Sequence, residues 1–126
     1  MITGAITLKI SRSRASGFYS AFMAATAAVY VGSALAGGDT SILELETAIA
    51  AMLFVMALAG LWRSMAFTAA AFFLHGVGDI LHSFNALGAN AGPIFPVFCI
   101  AFDWIAGFIV YLDARSRKQK RPVAAV

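Results

Sequence analysis

The chain has 126 residues, of which 61% are hydrophobic and 12% are charged, and its formal net charge is +3. Soluble domains are about 45–50% apolar and about 25% charged, and a short soluble chain can bury only part of its apolar surface. The composition therefore excludes an ordinary soluble domain and indicates a protein whose exterior faces a lipid bilayer.

The basic residues are concentrated outside the apolar segments. Five of the nine lie between Arg115 and Arg121, and three more precede Ala15. Because these runs flank apolar segments, we interpret them as determinants of membrane orientation, and we expect no nucleic-acid partner. The single cysteine, Cys99, excludes an intramolecular disulfide.

Four apolar segments are long enough to cross a bilayer as helices, which takes about 20 residues. A capping box of Ser41 and Glu44 predicts the start of the second segment, and Arg63 ends it. Gly88 is a plausible stop after the third segment, and Pro93 suits the first turn of the fourth. The predicted spans are residues 15–36, 42–62, 64–87 and 93–112, followed by a basic cytoplasmic tail at 113–126.

The distribution of charge predicts the orientation of these spans. With four spans, the N-terminal arm, the turn at Arg63 and the C-terminal tail share one side, and they hold all nine basic residues. The other side has Asp39, Glu44 and Glu46 and no basic residue. The positive-inside rule then places both termini in the cytoplasm. The predicted fold is an all-α integral membrane protein, a single-domain four-transmembrane-helix bundle with short loops, in the inner membrane.

The first segment has a rival interpretation as a cleaved signal peptide. Arg12 and Arg14 precede the apolar stretch, and Ala34-Leu35-Ala36 resembles a cleavage site. The apolar stretch is longer than the usual signal core of about 7–15 residues. We therefore expect a retained span.

Small residues recur on one side of the first span. Ala24, Ala28 and Gly32 are spaced four residues apart, and Ala21 and Ala25 lie beside them. Since small residues let membrane helices approach closely, this stripe predicts a tightly packed face.

The third span carries three ionisable residues on one stripe. His75, Asp79 and His82 are spaced four and three residues apart, so they lie over one another on a helix. At about 1.5 Å per residue from Ser64, His75 lies about 16 Å deep in a core about 30 Å thick. Asp103, ten residues after Pro93 on the returning span, should lie level with His75. His82 should lie near the outer surface, which gives a polar column that opens outward.

Ionisable groups inside a bilayer cost about 2.5–3.5 kcal/mol each and normally mark a functional site. The first hypothesis is a transition-metal site whose ligands are His75, Asp79, His82 and Asp103, suited to zinc or iron. Additional ligands from Cys99, Met52 and Met56 would favour copper. One weakness is that seven residues, or about 10 Å, separate His75 from His82.

The same column could bind a small lipophilic ligand from the bilayer. Its predicted lining residues are Tyr30, Trp104, Cys99, Gly76 and Gly78. In a membrane-embedded enzyme, Asp79, Asp103 and His75 would be the catalytic acids and bases, with or without a metal. The residues leave open whether the protein is an enzyme.

Two other functions fit the same residues. In an accessory or structural subunit of a larger membrane complex or homo-oligomer, the polar groups would only join helices. In a proton-coupled small transporter, the Asp and His residues would carry protons. Glu44 is interpreted as a cap, Glu46 and Asp39 as solvated outer charges, and His82 as either a site residue or a solvated histidine.

Overall fold

The structure is a computed structural model that describes residues 2–84 and 92–119, with side chains from Arg14 onward. The described residues form four helices and no strand, which confirms the predicted all-helical architecture. The helices are α1 (Ile2–Gly37), α2 (Thr40–Trp62), α3 (Met65–Ser83) and α4 (Ile94–Gln119).

Three helices extend beyond the predicted spans, α2 by only two residues at its start, and one ends earlier. The backbone of α1 is already helical at Ile2, and α4 continues into the basic tail as far as Gln119. An ion pair between Arg117 and Asp113, at 2.5 Å and one helical turn apart, supports that last part of α4. Helix α3 ends at Ser83 with Phe84 as its C-cap; the predicted continuation to Leu87 falls on residues 85–87, outside the described residues.

The prediction of a capping box at Ser41 and Glu44 is wrong. The N-cap of α2 is Asp39, whose Oδ1 accepts hydrogen bonds from the backbone N–H groups of Ser41 at 2.9 Å and Ile42 at 3.2 Å. Gly38, with φ of 73°, forms the tight turn that brings Asp39 to this position. Asp is as good an N-cap as Ser, and Asp39 is the residue whose side chain binds the first N–H groups of α2.

Helix α3 is the centre of the bundle, because it packs against each of the other three helices. Its partners bring mostly small and apolar side chains to a common core. At Gly107 of α4, an added Cβ would lie only 3.2 Å from Cβ of Phe72 on α3, so the glycine permits the close contact of these helices. The buried apolar residues of this core are Met23, Ala27, Leu53, Ala57, Met65, Ala69, Ala71, Phe72, Ala106 and Val110.

The packed face of α1 differs from the predicted small-residue stripe. Ala28 and Gly32 are exposed, and a Cβ at Gly32 would meet no atom within 4 Å among the described residues. Met23, Ala27 and Tyr30 form the buried face instead. Of the three spaced residues of the stripe, Ala28 and Gly32 therefore face away from the core, and only Ala24 is half-buried.

All four helices are long and apolar enough to cross a bilayer, with candidate spans of 24, 23, 19 and 26 residues. Large apolar side chains such as Phe54, Val55, Phe98 and Ile105 are exposed on the outside of the bundle. Soluble monomers rarely expose contiguous apolar surface of this extent. The bundle is thus compatible with a multi-pass membrane protein.

Replacing Gly60 by alanine is expected to destabilise the bundle by about 1–3 kcal/mol, because it overpacks the contact between α2 and α3. A Cβ at Gly60 would overlap Oγ1 of Thr68 and lie 3.0 Å from Cβ of that residue. Thermal unfolding in detergent, followed by circular dichroism, measures the effect. Gly32→Ala is the matched control, since its Cβ has room and alanine favours a helix. Equal stability of the two variants would contradict close packing at Gly60.

Candidate functional site

The ionisable stripe of α3 faces the inside of the bundle, as its spacing predicts. Asp79 is completely buried, and the exposed fractions of His75 and His82 are 5% and 7%. Burial of three ionisable residues on one helix is costly unless each has a partner. The partners come from α1, α2 and α4.

His75 pairs with Asp103 of α4. Nδ1 of His75 lies 2.6 Å from Oδ2 of Asp103, and Asp103 is only 1% exposed. The prediction that these two residues lie at the same level is therefore confirmed. A carboxylate oxygen can only accept a hydrogen bond, so an ionised Asp103 places a proton on Nδ1.

Asp79 connects this pair to α1. The hydroxyl of Tyr30 donates a hydrogen bond of 2.6 Å to Oδ1 of Asp79. The other oxygen, Oδ2, lies 3.3 Å from Nδ1 of His75. The imidazole therefore lies between two carboxylates, and Tyr30 fixes the orientation of one of them.

His75, Asp79 and Asp103 together form a group that could hold a metal ion. Each offers one ligand atom, and these atoms lie within 4.8 Å of one another. Three buried atoms of the group make no hydrogen bond to any described residue: Nε2 of His75, Oδ2 of Asp79 and Oδ1 of Asp103. Such unpaired buried atoms are uncommon in folded proteins, where a water molecule or an ion often supplies the partner.

The charges of the group do not balance when both carboxyl groups are ionised. Among the described residues, His75 is the only basic residue that forms an ion pair with Asp79 or Asp103. If both carboxyl groups are ionised, even a protonated imidazole leaves one negative charge in excess. A bound cation or a proton on one carboxyl group is needed to neutralise it.

Glu46 is buried, so the interpretation of it as a solvated outer charge is wrong. It is 2% exposed, and its Oε1 lies 2.7 Å from Nε2 of His82. Nδ1 of His82 donates to the carbonyl oxygen of Gly78 at 2.8 Å, which fixes a proton on that nitrogen. The bond between Glu46 and His82 then contains one proton, and the pair is neutral overall whichever partner carries it.

The four residues of the predicted metal site do not all converge, because His82 pairs with Glu46. His75, Asp79 and Asp103 converge, whereas His82 is not a member of their group and binds Glu46 instead. The ring of Tyr30 stacks on the ring of His82, with centroids 3.7 Å apart. The predicted opening of the column at His82 is therefore closed, since Glu46, His82 and Tyr30 are all buried.

The predicted lining residues have several different environments. Tyr30 is part of the site, and Cys99 is buried on α4. Gly76 permits the close approach of α4, because an added Cβ would overlap the indole of Trp104. Trp104 itself is half-exposed on α4. A Cβ at Gly78 would meet no described atom within 4 Å, and its carbonyl binds His82.

Neither of the two methionines proposed as additional copper ligands is buried as the three residues of the group are. Met52 is exposed on α2, and Met56 packs against the apolar core. The convergent ligand atoms of the group come from one imidazole and two carboxylates. This composition favours zinc or iron over copper(I), which prefers thiolate and thioether ligands.

Depth along the helices could have identified the missed partner, Glu46. It lies 16 residues before the end of α2 at Trp62, and His82 lies 17 residues after the start of α3 at Met65. Measured from the shared turn at Arg63, their depths are about 24 Å and 26 Å. The two residues are therefore level, by the same reasoning that paired His75 with Asp103.

Comparisons with known proteins place the chain in a family. No curated protein and no solved structure matches the chain. The pattern of DUF6010, described as a family of unknown function, matches residues 1–116. Because this match covers most of the chain, including the whole buried polar site, the protein belongs to the DUF6010 family.

Proposed function

We propose that the protein is an integral membrane protein that binds one divalent transition-metal ion, zinc or iron, between His75, Asp79 and Asp103. The observation that carries this proposal is the convergence of three ligand atoms within 4.8 Å from two helices. The positive-inside distribution of basic residues supports an inner-membrane location with both termini in the cytoplasm.

A divalent ion would balance the charges of the group. A neutral imidazole and two carboxylates carry two negative charges, which a divalent cation neutralises. Burying an unbalanced charge is far more costly than burying a neutral cluster. The unpaired oxygens Oδ2 of Asp79 and Oδ1 of Asp103 could then bind the ion in place of hydrogen-bond donors.

The ligand set also supports a reactive site. Catalytic zinc sites have three protein ligands and keep a further position for water or substrate. Within a bundle surrounded by lipid, a substrate of such a site would be a small lipophilic molecule. If water or a substrate occupies the remaining coordination position of the ion, the protein would be a membrane-embedded enzyme.

A second candidate function is proton transfer in a small transporter. Side-chain contacts connect all four helices, from Glu46 through His82, Tyr30, Asp79 and His75 to Asp103. The contact between Tyr30 and His82 is a ring stack and not a hydrogen bond, so the path is interrupted there. Proton uptake into liposomes that disappears in Asp79→Asn would favour this function.

Metal analysis of the purified full chain tests the main proposal. We expect one zinc or iron ion per chain, and a loss of affinity greater than about 100-fold in His75→Ala and in Asp103→Asn, since even outer-shell changes cost about 10–100-fold. Glu44→Gln is the matched control, because it removes an exposed carboxylate of α2. A folded wild-type chain that binds no metal would contradict the proposal and favour a purely structural role of the polar groups.

A further inference from the structure

A separate cavity lies at the opposite end of the bundle from the Glu46–His82 pair. It has a volume of about 870 Å³ and is formed where the turn between α2 and α3 meets the last part of α4. This volume lies within the usual range of small-molecule sites, about 300–1,000 Å³. We call it the basic cavity, after the residues Arg63, Arg115, Arg117 and Lys118 in its lining.

Most of the positive charge of the basic cavity is not neutralised. Of the four basic residues, only Arg117 forms an ion pair within the described residues, with Asp113. Arg117 also donates a hydrogen bond of 3.2 Å to Oγ of Ser16, so it joins α4 to α1. Arg63, Arg115 and Lys118 are exposed and leave an excess of three positive charges around one cavity.

The start of α3 contributes to the same wall. Ser64, Met65 and Ala66 line the basic cavity, and Ser64 is the N-cap of α3. The N–H groups of Ala66 and Phe67 already bond to Ser64, at 3.3 Å and 3.0 Å. The N-terminal end of a helix still carries a partial positive charge, which attracts anions. The helix dipole therefore has the same sign as the three side chains.

We propose that the basic cavity binds one phosphate-bearing anion, held by Arg63, Arg115 and Lys118 at the start of α3. Guanidinium groups bind phosphate oxygens in a bidentate manner, and lysine binds them as a point charge. A lipid headgroup and free inorganic phosphate share this chemistry. The site is independent of the metal proposal, since it contains none of the metal-binding residues.

Native mass spectrometry of the full chain in a non-ionic detergent tests this inference. The probes are short-chain phosphatidylglycerol, short-chain phosphatidylcholine and inorganic phosphate. We expect one phosphatidylglycerol per chain, bound more tightly than phosphatidylcholine. Arg63→Gln/Arg115→Gln should weaken it about 25-fold and Lys118→Gln about 5-fold, from the usual contribution of each basic residue near an anionic lipid.

Arg14→Gln is the matched control, because it removes an arginine of α1 that does not line the cavity. Competition by inorganic phosphate would show recognition of the phosphate group itself, and binding of the lipid alone would identify a headgroup site. Either result supports the proposal. Two results would overturn it in favour of diffuse attraction to a basic surface. One is equal affinity for the two lipids, and the other is a loss of affinity in Arg14→Gln as large as that in Lys118→Gln. Lys118→Gln keeps the test valid if the double variant does not fold.

Discussion

Tyr30→Phe is expected to weaken metal binding by about 10- to 100-fold, the usual cost of removing a partner that orients a metal ligand. The Tyr30 hydroxyl donates to Oδ1 of Asp79 at 2.6 Å, and it fixes the direction of the second oxygen towards His75. Phenylalanine keeps the ring that stacks on His82 but removes this donor. The carboxylate is then free to turn, and one ligand of the ion is lost for part of the time.

The dissociation constant, measured by competition with a chelator of known affinity, tests this expectation. Tyr111→Phe is the control, since Tyr111 is an exposed tyrosine of α4. A dissociation constant in Tyr30→Phe that equals that of Tyr111→Phe would show that Asp79 is not a ligand, or that its orientation does not depend on Tyr30.

Glu46→Leu is expected to lower the free energy of unfolding by about 2 kcal/mol, within the range for leaving one buried polar group unsatisfied. The change removes the partner of Nε2 of His82 in a pair that is almost completely buried. Replacing both partners by apolar residues leaves no unsatisfied group, so Glu46→Leu/His82→Leu should recover most of the lost stability.

Unfolding in mixed micelles, followed by tryptophan fluorescence, measures these free energies. Glu44→Leu is the control and should change the stability by less than about 0.5 kcal/mol, as surface substitutions usually do. Metal content should remain near the wild-type value in Glu46→Leu, since Glu46 is outside the metal group. If the double variant is less stable than Glu46→Leu alone, the pair is not a self-contained neutral unit.

The helices and the depth of the polar residues could be predicted because both follow from the number of residues along the chain. A bilayer requires about 20 apolar residues per span, and each helical residue advances about 1.5 Å. These two quantities place His75 beside Asp103, which the structure confirms with a distance of 2.6 Å. The spacing of the α3 stripe likewise requires only helical periodicity.

The rotations of α1 and α2 about their own axes are what the sequence did not reveal. On α1, the stripe of Ala28 and Gly32 is a plausible interface, but the helix buries Met23, Ala27 and Tyr30 instead. This rotation brings Tyr30 to Asp79, and the corresponding rotation of α2 brings Glu46 to His82. Such rotations depend on packing among all four helices, which no single helix encodes.

Local competition between similar residues explains the other error. Ser41 with Glu44 satisfies the capping-box pattern, yet Asp39 caps α2, because its backbone is extended and its side chain accepts from the N–H groups of Ser41 and Ile42. The pattern is necessary for a capping box but does not exclude a better-placed acceptor.

X-ray absorption spectroscopy of the zinc-loaded full chain tests the metal site most directly. One imidazole nitrogen and carboxylate oxygens are expected around the ion at about 2.0–2.2 Å, without sulfur at about 2.3 Å. The imidazole contribution should disappear in His75→Ala and remain in Cys99→Ala. A spectrum that contains sulfur, or one that His75→Ala leaves unchanged, would contradict the assignment of the ion to His75, Asp79 and Asp103.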